Sequence, residues 1–138
     1  MKIKVIQSLD EMHKKDLLSL YHSAWWSCER TVDDVEIILS NSSFYIGLVC
    51  ENNNQLIAFS RVLTDYFQFS YIYDVIVHEN YRGQNFGKQL IEIIVNHPTL
   101  KKVKNIELVC RKEMIPFYKQ FGFTEDYGKS TSMRLQRV

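Results

Sequence analysis

Between Tyr71 and Val95 the chain reads as strand, glycine-bearing loop and helix, and no other stretch restricts the fold as tightly. Tyr71–Val77 is β-branched and aromatic, Arg82–Gly87 forms a tight loop, and Leu90, Ile91, Ile94 and Val95 recur at helical spacing within Phe86–Val95. Gly83 and Gly87 let the backbone turn without Cβ clashes, so the orphan N–H groups of the helix's first turn point into the loop. The helix dipole reinforces them, and the loop is expected to cradle an anion, phosphate foremost.

Phosphate loops differ in spacing. A Walker A loop needs Lys followed by Ser or Thr, whereas Gln89 follows Lys88 and three residues, one short of that motif, separate Gly83 from Gly87. A dinucleotide fingerprint needs a third glycine and an acid at the end of the next strand, and that pattern does not fit either. The stretch instead resembles motif A of the GNAT superfamily of N-acetyltransferases, Arg/Gln-x-x-Gly-x-Gly/Ala, opened by Arg82 and closed by Gly87. Asn85 stands at the inner glycine, and asparagine is among the non-glycine residues that best accept left-handed backbone. Downstream, Pro116-Phe-Tyr-Lys-Gln-Phe-Gly-Phe123 resembles motif B of the same family, and the resemblance covers residues 43–124 well.

That resemblance implies an α+β fold of αβα layers, with a central mixed, mostly antiparallel sheet flanked by about four helices, in one N-acetyltransferase domain over residues 1–138. It implies acetyl-CoA as co-substrate, its pyrophosphate held by Arg82, Gly83, Gln84, Asn85, Phe86, Gly87 and Lys88. The pantetheine arm is expected along Val75, Ile76 and Val77, with the Val75 N–H aimed at the thioester carbonyl and Val77 bonding a pantetheine amide. Tyr118, the motif B tyrosine, is the implied general acid for the departing thiolate. No metal is required.

The base stays open. Tyr71 and Tyr73 share a strand face and fall where some relatives carry a Glu or His, while alternation turns Asp74 the other way. Tyrosine is a poor base, so a water chain ending at Asp74 or a backbone carbonyl serves equally, and Asp74 has either a substrate ammonium or a structural hydrogen bond as partner. Phe67, Phe69, Tyr71 and Tyr73 would form an aromatic stripe, joined by Trp25 and Trp26 as acceptor-binding residues; core aromatics in a strand would read the same. The acceptor is expected to be a small-molecule or peptide amine. A non-catalytic acyl-CoA-binding module and a nucleotide-phosphate binder are the competing readings.

In chain order, Lys2–Gln7 reads as a strand, Ser8 with Glu11 as a capping box, and Met12, Leu17, Leu18, Tyr21 and Trp25 as the face of the helix that follows. Thr31 with Asp34 starts a second helix; Phe44–Cys50 and Leu56–Val62 form a hairpin across Asn52–Asn54. A helix ends at Asn96-His97-Pro98, Asn105–Cys110 is a strand, Glu113–Phe121 a helix, and Thr131–Arg137 a closing strand. Lys101, Lys102 and Lys104 suit either a coenzyme 3′-phosphate or a solvated turn. With 17 basic and 16 acidic residues interspersed, neither nucleic acid nor membrane is an expected partner. No signal-length or membrane-length apolar run occurs, which makes a cytoplasmic location the expectation. The three cysteines read as reduced small hydrophobes, His13, His22, His78 and His97 as surface residues, and a homodimer is left open by analogy with relatives.

Overall fold

The computed structural model describes residues 1–137 and divides into two units, Met1–Leu108 and Val109–Val138, which are taken separately. The first contains a five-stranded mixed sheet in the order β1-β2-β3-β4-β5: β1 (Ile3–Ile6), β2 (Phe44–Cys50), β3 (Gln55–Thr64), β4 (Phe69–Val77) and β5 (Asn105–Leu108). The first four strands run antiparallel to their neighbours, and β5 lies parallel to β4. A parallel neighbour needs a crossover, supplied by the helix Phe86–Val95, α3 in the numbering used below.

Two other helices precede β2. The first, α1 (Glu11–Ser23), is capped by Asp10, whose carboxylate accepts from the His13 N–H at 2.8 Å while His13 Nδ1 accepts from the Asp10 N–H. The expected Ser8–Glu11 box is therefore displaced by two residues: an ionised carboxylate is a stronger acceptor for orphan N–H groups than a hydroxyl. His13 consequently turns inward, 6% exposed, with Nε2 3.2 Å from Asn54 Oδ1, rather than lying on the surface. The second, α2 (Val32–Asn41), starts at Thr31 with Asp34 completing the box, as its sequence dictates.

Leu17, Leu20 and Tyr21 of α1 and Val35 of α2 pack with Val49, Leu56, Phe59 and Ile76 on one face of the sheet. Met12 stays exposed and Trp25 lies past the helix end, so α1 buries a narrower stripe than its apolar count suggests. Strand alternation sends Ile46, Leu48, Ala58 and Val62 to the opposite face, the one α3 covers with Leu90, Ile91 and Ile94. None of the described helices is long and apolar enough to cross a membrane.

One irregularity decides where the side chains of β4 point. Phe59 pairs with Ile76 and Arg61 with Tyr73, so Asp74 and Val75 both stand opposite Ser60. This is a β-bulge, and Asp74 takes left-handed backbone (φ 57°) within it. The Ser60 hydroxyl donates to the Tyr73 carbonyl at 2.9 Å, fixing the kink.

In the second unit a 3-10 turn, Lys112–Met114, leads into α4 (Ile115–Lys119), with Pro116 in its first turn. Tyr118 is buried beside Phe117 and Phe123, and Phe117 also meets Phe121. Residues 131–137, expected to close the sheet, form no strand, and Met133 and Leu135 stand 91% and 79% exposed. Alternation is present there, yet a strand exists only as part of a ladder, and no neighbour pairs with it among the described residues.

Candidate active site

Three features of the first unit converge on the end of β4. The first is an unpaired edge. Parallel pairing with β5 stops at Ile72–Leu108, and β4 runs on through Tyr73–Val77 with no sheet partner on that side among the described residues. The His78 N–H donates to the Ile57 carbonyl on the β3 side, so Val77 faces the other way; its carbonyl accepts from Arg82 Nε at 3.2 Å instead of from a strand. Two residues back along regular strand, Val75 presents its N–H to the same edge, while Ile76 is buried against α1.

The second feature is the loop that follows. After a 3-10 turn at Glu79–Tyr81, Gly83 (φ 78°) and Asn85 (φ 66°) both adopt left-handed backbone, and Gly87 lies in the first turn of α3. Asn85 thus holds the conformation for which a glycine would otherwise be used, and its side chain does not cap the helix. Among the described residues, no backbone N–H from Gly83 to Lys88 donates to a protein acceptor; internal bonding resumes with Gln89 to Asn85 at 3.0 Å. Gly83, Gln84 and Asn85 are exposed, and Lys88 Nζ lies 3.9 Å from Glu92. Successive free N–H groups at a helix N-terminus make a concave anion site. The 3′-phosphate candidates Lys101, Lys102 and Lys104 are exposed, with Lys104 Nζ 5.0 Å from the Phe67 ring centre.

The third feature is the cluster around Asp74. Its Oδ2 accepts from Tyr21 (2.9 Å), Arg30 Nη1 (2.8 Å) and Arg61 Nε (2.6 Å), and its Oδ1 from Arg30 Nη2 (3.4 Å). Arg61 also lies over the Tyr73 ring, 5.1 Å from its centre, so Tyr73 and Asp74 share one face. This corrects the simple alternation expected for the strand: the bulge inserts a residue and returns Asp74 to the α1 side. Burial alone would raise the Asp74 pKa, but the hydrogen bonds from Arg30 and Arg61 outweigh it and hold the carboxyl below its ordinary range. The Tyr21 phenol is pushed far above its usual value, first by burial and then by the neighbouring carboxylate. Asp74 is accordingly an ionised anchor for two guanidinium groups, a poor proton acceptor near neutral pH.

Outward from the cluster the aromatics line up. Tyr73 stacks with Tyr71 at 6.1 Å and Tyr71 with Phe69 at 6.4 Å, all partly exposed. On the other side Arg30 lies 4.3 Å from the Tyr21 ring centre and 5.4 Å from that of Trp26. Trp25, Trp26, Glu29, Arg30 and Asp34 are among the residues lining an open concavity of about 560 Å³. The sequence reading found the aromatics but missed Arg30, Arg61 and Tyr21. A signal was there: Arg61 interrupts an apolar strand, and a charge in that position needs a counter-ion, which the facing strand supplies only as Asp74.

In the second unit Tyr118 is 8% exposed, and its hydroxyl has no protein partner among the described residues. Burial, and secondarily Cys110, push its pKa up to about 12, so it remains a proton donor across the neutral range. No cluster of metal-ligating side chains occurs among the described residues. Cys50 is buried, Cys110 half-buried and Cys28 exposed, all free thiols.

Comparison with known proteins gives the family and the fold. Residues 7–123 match the acetyltransferase (GNAT) family, and the chain belongs to that family of acyltransferases. It is 30% identical over 113 residues to the uncharacterized N-acetyltransferase ycf52 of Pyropia yezoensis, covering 80% of this chain and 64% of that protein. It is 35% identical over 120 residues to the histone acetyltransferase TAP1 of Glycine max, covering 80% and 52%. The chain thus spans roughly half to two thirds of the length of these relatives. Among solved structures, one from Xanthomonas campestris pv. campestris described as belonging to the GNAT family superposes with a TM-score of 0.83 at 23% identity, covering 99% and 94%. Glucosamine-6-phosphate N-acetyltransferase from Arabidopsis thaliana superposes at 0.75 and 18% identity, covering 100% and 99%. These two establish the fold.

Proposed function

We propose that the protein transfers an acetyl group from acetyl-CoA to a primary amine of a small molecule or peptide by direct attack on the thioester. One observation carries this reading: among the described residues, the N–H groups from Gly83 to Lys88 have no protein acceptor and directly follow a strand edge that has no partner. The residues fit the coenzyme, since the loop offers backbone donors to a pyrophosphate and the edge at Val75 and Val77 offers strand-like pairing to the amides of a pantetheine arm.

The bound thioester supplies an activated acetyl group, and every other requirement falls on the chain. The Val75 N–H donates to the carbonyl oxygen as negative charge develops there, an effect typically worth about 3 kcal/mol of barrier. Tyr118 is the acid assigned to the leaving sulfur. At about 12 its pKa lies above that of a thiol near 8.5, so the transfer has to accompany C–S cleavage and be completed by reprotonation from solvent. The amine's proton leaves through water, because Asp74 is fully engaged.

Two measurements test this. Acetyl-CoA should raise the melting temperature where ATP does not, and a panel of amines should release free thiol from acetyl-CoA. A shift without thiol release on any amine would make the protein an acyl-CoA-binding module, and a shift with ATP alone would end the proposal. Tyr118→Phe should lower kcat by about 100-fold with acetyl-CoA affinity unchanged; an undiminished rate removes Tyr118 from the mechanism.

A further inference from the structure

Two arginines and one aspartate meet beside Tyr73, a formal balance of one excess positive charge. Arg30 spends both of its Nη groups on Asp74, with its planar head against Tyr21 and Trp26. Arg61 is used differently. Its Nε alone binds Asp74, and neither of its Nη groups has an acceptor among the described residues. No side-chain nitrogen or oxygen of the described residues is both sealed from solvent and unpartnered, so these Nη donors are reachable from outside. The side chain is nevertheless only 17% exposed and cannot swing freely. One edge of the guanidinium is pinned by Asp74, one face rests on Tyr73, and the remaining edge presents parallel N–H bonds in the geometry that receives a carboxylate or phosphate bidentately.

The location matters as much as the charge. Arg61 stands directly across the ladder from Tyr73, two residues before Val75 on β4. A cationic ammonium placed beside Arg61 would meet that excess positive charge, because Asp74 is already shared by two guanidinium groups.

We infer that the acceptor amine also carries an anionic group, a carboxylate or phosphate, which the free edge of Arg61 binds while Tyr73 and Tyr71 flank the body of the molecule. This rests on the proposed amine acetylation and adds the class of amine. Arg61 is then a specificity-determining residue, held by Asp74 and distinct from the groups that handle the thioester.

The test uses matched pairs that differ only in the anion: phenylalanine against phenethylamine, and glucosamine 6-phosphate against glucosamine. Binding is followed by calorimetry with the whole chain saturated in coenzyme A, and thiol release in parallel with acetyl-CoA. At least one acidic member should bind roughly 10-fold or more tightly than its neutral partner, as expected for a charge-assisted bidentate contact, and should show the matching gain in kcat/KM. Preference confined to the first pair identifies a carboxylate, and to the second a phosphate. Equal binding, a preference for the neutral members, or no binding by any of the four overturns the inference. Because binding is read without turnover, acidic preference in the absence of thiol release would refute acetyl transfer and leave the anion site standing. In Arg61→Gln the preference should vanish while the Tm rise with acetyl-CoA persists, and Arg61→Lys should restore only part of it. An Arg61→Gln protein that retains the full preference also overturns the assignment.

Discussion

The Asp74 cluster and the Gly83–Lys88 loop lie at opposite sides of the same strand end, and they are satisfied in opposite ways. Around Asp74 a carboxylate 6% exposed is met by two guanidinium groups and a phenol, so the charge is matched within the protein. In the loop the polar groups are backbone N–H, none with a protein acceptor among the described residues. Side chains can find partners as the chain collapses, whereas left-handed backbone at Gly83 and Asn85 holds donors outward, away from any internal carbonyl. The first arrangement fixes the sheet to α1; the second has donors to offer a ligand.

Substitutions can sharpen or break this contrast. Gly87→Glu carries the largest expected effect: a carboxylate in the first turn of α3 competes for the anion cradle, and acetyl-CoA affinity should fall at least about 100-fold by calorimetry, with the helical circular-dichroism signal retained. Undiminished affinity would remove the loop from coenzyme binding. Asp74→Asn should act on the fold. Asparagine accepts the left-handed backbone, so the loss isolates the charge; leaving two half-buried guanidinium groups without their counter-ion costs about 2 kcal/mol in urea unfolding. The same residue sets an acid dependence. Its folded pKa lies below its unfolded value, so the stabilisation is complete above about pH 4 and is lost as pH falls through the folded pKa. That acid decline should flatten in Asp74→Asn. A variant that unfolds like the wild type from pH 2 to 7 would show that the cluster does not hold α1 to the sheet. Smallest is Asn85→Ala, which should destabilise by about 1 kcal/mol through left-handed strain, while Asn85→Gly should be close to neutral.

What could be read from the sequence divides along the same physical line. Thr31 with Asp34, the helix Phe86–Val95 and the left-handed Asn85 are set by residues within a few positions of one another, and their sequence signals were sufficient. The direction of Asp74 depends on how β3 is matched to β4, which no local pattern encodes, and counting alternate residues from Tyr71 gave the wrong face. Thr131–Arg137 has the alternation of a strand, but alternation says nothing about whether a partner is present. Likewise Arg61 was visible as a charge within an apolar run, while its free edge follows from how much of it Asp74 occupies.

The single inserted residue in β4 has a last implication for anyone altering this protein. Odd-numbered positions up to Tyr73 and the even-numbered Ile76 decorate one surface, so the strand keeps two separate counts that meet at residue 74. Removing one residue there would merge the counts, sending either the tyrosines inward against α3 or Ile76 out of its cluster with Leu17 and Tyr21. A recombination library that crosses this strand should therefore cut on one side of the kink or the other and never shorten it.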